Sequence, residues 1–322
     1  TQWSTSPTPS RIRASALPRD KRMTDATHNL SSPRNTGTRT YQLPIWSDAN
    51  WIVRIALLIG LILIVTALAA PWVAPFDPNA QSLISRLRPP IGFERYKDGF
   101  YFGTDELGRD IFSRCIYGLR LTFALALAGA VIGLLIGGTL GLMAGIIGGV
   151  FEEVIMGLVD AQIAIPFTLI ALLILAVMGS SLDVMILVLG VYGWEQYTRI
   201  VRGEVKKLIQ MPFVEAARAA GATPLRIAVR HILPNVVSPI VVQFTLNFSN
   251  IVILESTLSF LGLGVQPPTA TLGSMVGIGR DYLPTAPWIV LAPAIVILLL
   301  TFAVQILGDW LRDKADVRLR SR

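Results

Sequence analysis

Charge is missing from six long stretches of this chain, and their spacing sets the first expectation. Residues 55–76, 121–151, 161–182 and 184–194 are uncharged, as are 232–254 and 282–308. Most exceed the length of a buried helix in a soluble domain and match the 20 or so apolar residues that cross a bilayer. The run at 184–194 is short and needs 195–200 to complete a span. The run at 161–182 is expected to start earlier and so to take in Asp160. The fold class expected is an all-α polytopic membrane protein with about six transmembrane helices.

Polar punctuation divides the chain further. Residues 1–50 are rich in Ser, Thr, Pro and Arg and have no apolar period, which reads as a disordered basic tail. A first transmembrane helix is expected at 51–76 and an extracytoplasmic loop with an amphipathic helix at 77–117. A core at 118–312 encloses a cytoplasmic loop at 209–235, and 313–322 forms a C-terminal tail. In the extracytoplasmic loop Thr104 is placed to cap a helix with Asp105 and Glu106 in its first turn, and Leu107, Ile111 and Cys115 on one face.

Within the second span, Gly129, Gly133, Gly137, Gly141 and Gly145 recur every fourth residue. Such a stripe lets two helix backbones approach, so packing is preferred over a pore role. The fifth span carries Gln243, Asn247 and Asn250 on one face. With Asp160 and Glu255 they are the candidates for lining a translocation path, weighed against hydrogen bonding and ion pairing between helices.

Composition and charge then sharpen the picture. The 322 residues are 52% apolar and 15% charged, with mean hydropathy +0.58, too apolar for an ordinary soluble domain. The net charge of +7 is not a nucleic-acid footprint, because the cations alternate between sides of the apolar runs. Nineteen Lys and Arg flank one side and eight the other, which puts both termini in the cytoplasm. The first span lies too far in, and is too long, to be a cleaved signal peptide. The start at Thr1 instead of Met reads as trimming. One cysteine and two histidines cannot build a tetrahedral metal site, and no metal or other cofactor is expected on this chain. None of the five lysines follows a Gly, so no phosphate-binding loop exists.

The connection after the fourth span reads Glu215-Ala216-Ala217-Arg218-Ala219-Ala220-Gly221-Ala222-Thr223-Pro224-Leu225-Arg226 and continues to His231-Ile232-Leu233-Pro234. Physically it is a helix, a glycine stop and a second helix. Gly221 supplies the left-handed turn, Thr223 the cap and Pro224 the first helical position. Leu225, Ala228, Val229 and Ile232 then share a face, and Pro234 ends the element. So short a unit needs a partner surface.

These residues resemble the EAA loop of ABC importer permeases, matching at Glu215, Ala216, Ala217, Gly221, Leu233 and Pro234, with His231 as in the peptide-importer branch. The run from Phe102-Gly103-Thr104-Asp105 to Arg114, the segment 255–264 (ESTLSFLGLG) and Leu307-Gly308-Asp309-Trp310 are similar to C-type permeases of dipeptide and oligopeptide importers. Glu195 departs from that pattern, standing where a Pro or small residue is usual. The resemblance implies a type I ABC importer permease fold in the bacterial cytoplasmic membrane. It implies that Glu215, Ala216, Ala217, Gly221, Leu225, Arg226, His231, Leu233 and Pro234 couple the chain to an ATPase. The partners it implies are a homologous B-type permease, two ABC ATPase subunits that bind ATP and Mg, and an extracytoplasmic solute-binding protein. An ion-driven transporter would leave the loop unexplained. A membrane enzyme would need a convergent site that Glu152, Glu153, His231 and Cys115 do not provide.

Overall fold

The computed structural model describes residues 50–320, with side chains described as far as Lys314. The tail expected at 1–50 therefore lies outside the described residues but for Asn50. Helices α1 (Trp51–Leu68) and α2 (Ala70–Val73) come first, followed by a loop that ends at α3 (Ile111–Ile147). Then come α4 (Gly149–Ala164), α5 (Phe167–Met178), α6 (Leu182–Val191) and α7 (Trp194–Ile209). Two short helices, α8 (Pro212–Ala219) and α9 (Pro224–Ile227), precede α10 (Leu233–Phe260). The chain closes with α11 (Leu272–Gly279) and α12 (Trp288–Arg320). No strand forms among the described residues, so the all-α expectation holds for them.

Among the described residues, four helices are long and apolar enough to span a membrane: α1, α3, the continuous rod from Pro224 to Phe260, and α12. The pair α4–α5 makes a fifth candidate, bent by 83° at its break. The break has a local cause. Pro166 forces the preceding residue out of the helical region, and Ile165 sits at φ −108°, ψ 127°. The third expected span is thus not one straight helix, and Asp160 lies before the bend.

The fourth expected span is likewise divided. Tyr192 is extended and Gly193 is left-handed at φ +82°, which separates α6 from α7. Only glycine fits there, because a Cβ on Gly193 would run into the Asn247 side chain. Helix α12 continues into the tail expected at 313–322 as far as Arg320.

The glycine stripe does what its spacing predicts. A Cβ on Gly129 would come 3.0 Å from Leu189, and one on Gly133 would come 3.0 Å from the Tyr192 carbonyl oxygen. One on Gly141 would meet the Thr198 carbonyl at 2.6 Å, and one on Gly145 the Val205 side chain at 2.6 Å. Gly137 lies against the Trp194 carbonyl with no room for a side chain at all. Five glycines therefore seat α6 and α7 directly on the α3 backbone.

The amphipathic helix expected to start at Thr104 does not form. Residues 104–110 close a loop through a bridge between Thr104 and Asp110. Thr104 Oγ1 is used up elsewhere, donating to the Ser85 carbonyl and accepting from Arg88 N. The cap of α3 is Asp110, which accepts from Ser113 N at 2.8 Å and from Ser113 Oγ at 2.6 Å. Burial pushes the Asp110 carboxyl above the usual carboxylate range, against the pull of those bonds. Asp105 is no helix-dipole partner either. Its carboxylate takes the Arg109 Nε at 2.6 Å and lies 3.5 Å from Arg114 Nε, and all three side chains are buried.

Candidate functional site: the 209–235 connection and its mount

Helix α7 leads directly into the connection. Its buried stripe, Tyr197, Val201 and Val205, faces α3, and Val201 and Val205 continue into a second small core. That core gathers Val214 of α8, Ile227 of α9, Ile232, and Val236 of α10. A helix of eight residues is unstable alone, so Val214 and the half-buried Ala217 fix α8 to this platform.

The expected glycine stop is present in full. Gly221 stands at φ +80° just after α8. Gly221 N donates to the Arg218 carbonyl at 2.9 Å, and Ala222 N donates to the Ala217 carbonyl at 3.0 Å. These two bonds are the pair that define a Schellman turn, and they satisfy carbonyls the helix end would otherwise strand. Thr223 Oγ1 accepts from Arg226 N at 3.4 Å, and Pro224 opens α9.

Beyond α9 the structure corrects two expectations. Residues Ala228–Ile232 form a π-helical turn. Pro234 consequently does not end the element, and the helix runs on to Phe260. A proline in a helix removes a hydrogen bond and crowds the carbonyl four residues earlier, here that of Arg230. A π turn placed there absorbs both defects by widening the backbone. The same widening rotates the register, so the four residues expected on one face separate. Ala228 and Ile232 are buried, whereas Leu225 is 73% and Val229 56% exposed.

The result is a two-sided unit. Its inner side is apolar and docked. Its outer side presents Phe213, Glu215, Ala216, Leu225 and Arg226 to the surroundings. His231 is half-buried, and its carbonyl accepts from Asn235 Nδ2 at 2.7 Å. Leu233 and Pro234 are exposed beside the π turn.

Residues 137–317, more than half of the chain, match the family described as binding-protein-dependent transport system inner membrane component. The chain belongs to that family. It is a permease subunit of an ABC importer. Residues 49–90 also match the N-terminal TM domain of oligopeptide transport permease C. The di/tripeptide transport system permease protein DppC of Pseudomonas aeruginosa (strain UCBPP-PA14) is 41% identical over 265 residues, 82% of this chain and 88% of that one. The glutathione transport system permease protein GsiD of Shigella flexneri serotype 5b (strain 8401) is 40% identical, over 82% of this chain and 86% of that one. Among solved structures, a chain of the inward-facing MetNI methionine ABC transporter superposes with a TM-score of 0.50 at 20% identity. That match covers 64% of this permease and 97% of the other chain and shows the type I permease fold.

The structure distributes the five expected path residues over two environments. Asp160 is exposed and pairs with Arg199 at 2.7 Å, and Asn250 is half-buried. Gln243 is buried, with Nε2 donating to Gln196 Oε1 at 2.6 Å. Asn247 is fully buried against Gly193 of the α6–α7 break and beside the buried Tyr197 hydroxyl. Glu255 is fully buried near the end of α10, where Ser259 Oγ donates to its Oε1 at 2.8 Å.

The sequence reading missed a polar ladder between α4 and α7. Glu152 Oε1 takes Lys206 Nζ at 2.6 Å and the Arg202 guanidinium as well. Asp160 takes Arg199, as above. Further along, Gln162 accepts from Trp194 Nε1 and donates from Nε2 to Glu195 Oε2 at 3.0 Å. The signal was present as Glu195, Arg199, Arg202 and Lys206 at helical spacing opposite Glu152, Asp160 and Gln162. It was hidden because the two helices are separated by a bend and a glycine break.

Proposed function

We propose that this permease forms half of the translocation path of an ATP-driven peptide importer in the bacterial cytoplasmic membrane, with both termini cytoplasmic. The observation that carries the reading is the two-sided connection at 209–235. Helix α8 is clamped by Val214 to the base of α7, which in turn lies on the glycine face of α3. An outward face that holds Phe213, Leu225 and Val229 is left uncovered by the other described residues. A partner ATPase that pushes on this face moves α7 and α10 together, because both enter the same small core. That is how movement in one subunit tips a bundle between two packed states.

In this reading ATP and Mg belong to two separate ATPase subunits, a homologous B-type permease supplies the other half of the path, and a binding protein delivers the substrate. Relatives whose names specify di- and tripeptides or glutathione support a peptide cargo. Within the path, Asp160 and Asn250 are the expected residues that keep accessible side chains.

The test is co-purification and uptake. Glu215→Lys and Leu225→Asp alter exposed side chains and should leave the permease folded. Each should reduce the amount of ATPase recovered with the permease and abolish uptake of a labelled tripeptide. Full recovery of both in the two variants would end the proposal. Retained ATPase recovery with uptake of some other solute class would keep the coupling and remove the peptide cargo.

A further inference from the structure

Helix α3 has a second face, opposite its glycines. From Leu127 through Val131, Leu135 and Met143 to Ile147 it exposes large apolar side chains. That stretch is about 20 residues, or about 30 Å at the α-helical rise, which matches the hydrocarbon thickness of a bilayer. Arg120 lies two turns before Leu127, about 10 Å beyond the apolar band on the side away from Gly221, at the depth of the lipid headgroups.

A cavity of about 280 Å³ opens at that level. It is lined by Tyr117, Arg120, Leu121 and Ala124 of α3, by Pro78 and Asn79, and by Thr269 and Ala270. The four α3 residues fall at i, i+3, i+4 and i+7, so they form one face that runs straight into the exposed apolar stripe. Arg120 is exposed into this space and has no hydrogen bond or ion pair within the described residues. The contrast with its neighbours is sharp: Arg109 and Arg114, one to three turns earlier, are buried on Asp105. The Tyr117 hydroxyl, the Asn79 side-chain amide and the Thr269 hydroxyl are also unengaged among the described residues, so the lining offers one cation and three neutral polar groups and no carboxylate; the Asp77 carboxylate is held outside it by the Asn79 backbone N–H at 2.8 Å.

We infer that this cavity holds the phosphate of a membrane phospholipid, whose acyl chains lie along Leu127, Val131 and Leu135. Charge and depth argue for this occupant together. A guanidinium binds phosphate oxygens in two parallel bonds, and basic pockets at headgroup depth are where membrane proteins hold specific lipids. An apolar stripe that continues from the cavity toward the bilayer centre fits acyl chains. A free anion or a soluble partner would have no use for it. The inference rests on the membrane setting and stands whether or not the cargo is a peptide.

The experiment uses the assembled importer in detergent, titrated with dioleoylphosphatidylglycerol and observed by native mass spectrometry. Arg120→Gln should bind the lipid about tenfold more weakly than the native protein. Arg120→Lys should lose less, because charge remains and the two-bond geometry does not. Tyr117→Phe, which removes one donor and no charge, should also weaken binding. Dioleoylphosphatidylethanolamine should follow the same order, since its phosphate is shared, and inorganic phosphate at equal concentration should not displace either lipid. Equal lipid affinity in native protein, Arg120→Gln and Tyr117→Phe would overturn the proposal. So would displacement of the lipid by free dialanine, which would give Arg120 to a substrate carboxylate. Loss of the partner permease from Arg120→Gln with lipid affinity unchanged would assign the face to a protein interface instead and overturn it too.

Discussion

Thr198 Oγ1 donates a hydrogen bond to the Gly137 carbonyl oxygen at 3.1 Å, across a crossing where the two helix backbones touch. The bond forms only because residue 137 has no side chain. The same Thr198 hydroxyl also reaches the Trp194 carbonyl at 2.9 Å, so it ties α3 to the first turn of α7 just after the Gly193 break. Replacing Gly137 by Ala drives a Cβ into the Trp194 carbonyl and into Tyr197, which is fully buried and has no space to yield. We expect about 1–3 kcal/mol of destabilisation from such overpacking. Gly157 is the control: nothing lies within 4 Å of a Cβ there, so Gly157→Ala should be neutral or stabilising by up to ~1 kcal/mol. Thermal unfolding of the two purified variants, followed by size-exclusion chromatography, should separate them. Equal midpoints would mean that the stripe is not a packing seam.

Asp105 supports a second prediction, in the loop before α3. Its carboxylate serves Arg109 and Arg114, with side-chain exposures of 5%, 6% and 4% for the three residues in that order. It also accepts from Leu107 N and Arg109 N at 2.9 Å. Asp105→Asn leaves Arg109 to Glu106 and Arg114 to the neutral Pro78 carbonyl, which it reaches at 3.1 Å. Loss of one partner from a buried ionic group costs about 3–5 kcal/mol, so the loop should loosen and become protease-sensitive between 78 and 110. An unchanged digestion pattern would mean that water already reaches the two arginines.

Much of this was legible from the residues, and the reasons are physical. The glycine stripe and the Gly221 stop were readable because each depends on one residue type at a fixed spacing, with no help from distant neighbours. Helix continuity was not. Pro234 was expected to end a helix, yet a π turn carries the backbone past it. Val184–Ile200 was expected to be one span, yet Gly193 divides it where Asn247 enters from another helix. Thr104 has every mark of a helix cap, but Ser85 and Arg88, far off in sequence, claim its hydroxyl first. At Thr104 and Gly193 a tertiary contact decided the outcome against a local preference worth about 1 kcal/mol, whereas at Pro234 the backbone widened locally instead of stopping. The mount of α8 was also invisible, since Val201, Val205 and Val214 look like any other valines until the chain brings them together.

Gly221 allows a test of the stop without a change of surface. Its φ of +80° is the difficulty for any side chain, because nothing lies within 4 Å of a Cβ there. Gly221→Ala should therefore cost about 1 kcal/mol locally, and Gly221→Asn less, since Asn tolerates the left-handed region. The global fold should hold in both, because α8 contributes little to the main core. Coupling should suffer in the order Ala worse than Asn, as α8 frays away from Val201 and Val205. ATP-driven uptake measured at equal permease abundance checks the order. Identical uptake in both variants and the native protein would show that α8 does not need its glycine stop.

Pro234 offers the most direct test of the π turn. The wide turn at Ala228–Ile232 exists because residue 234 cannot donate a hydrogen bond and its ring crowds the Arg230 carbonyl. Pro234→Ala removes both causes, and a normal α-helix then becomes the more stable winding. Since a π turn accommodates one more residue than an α turn, its loss rotates everything upstream by roughly one residue, about 100°. Ile227 would swing out of the core it shares with Val214 and Val236, and Leu225 would turn toward it. The protein should stay folded, with its unfolding midpoint shifted little, while ATP-driven uptake falls steeply. A cysteine at 225 reports the rotation independently: its labelling by a water-soluble maleimide should be fast in the native background and slow with Pro234→Ala. Equally fast labelling in both would show that the π turn is held by packing against α7 and α10, with the proline as a passenger.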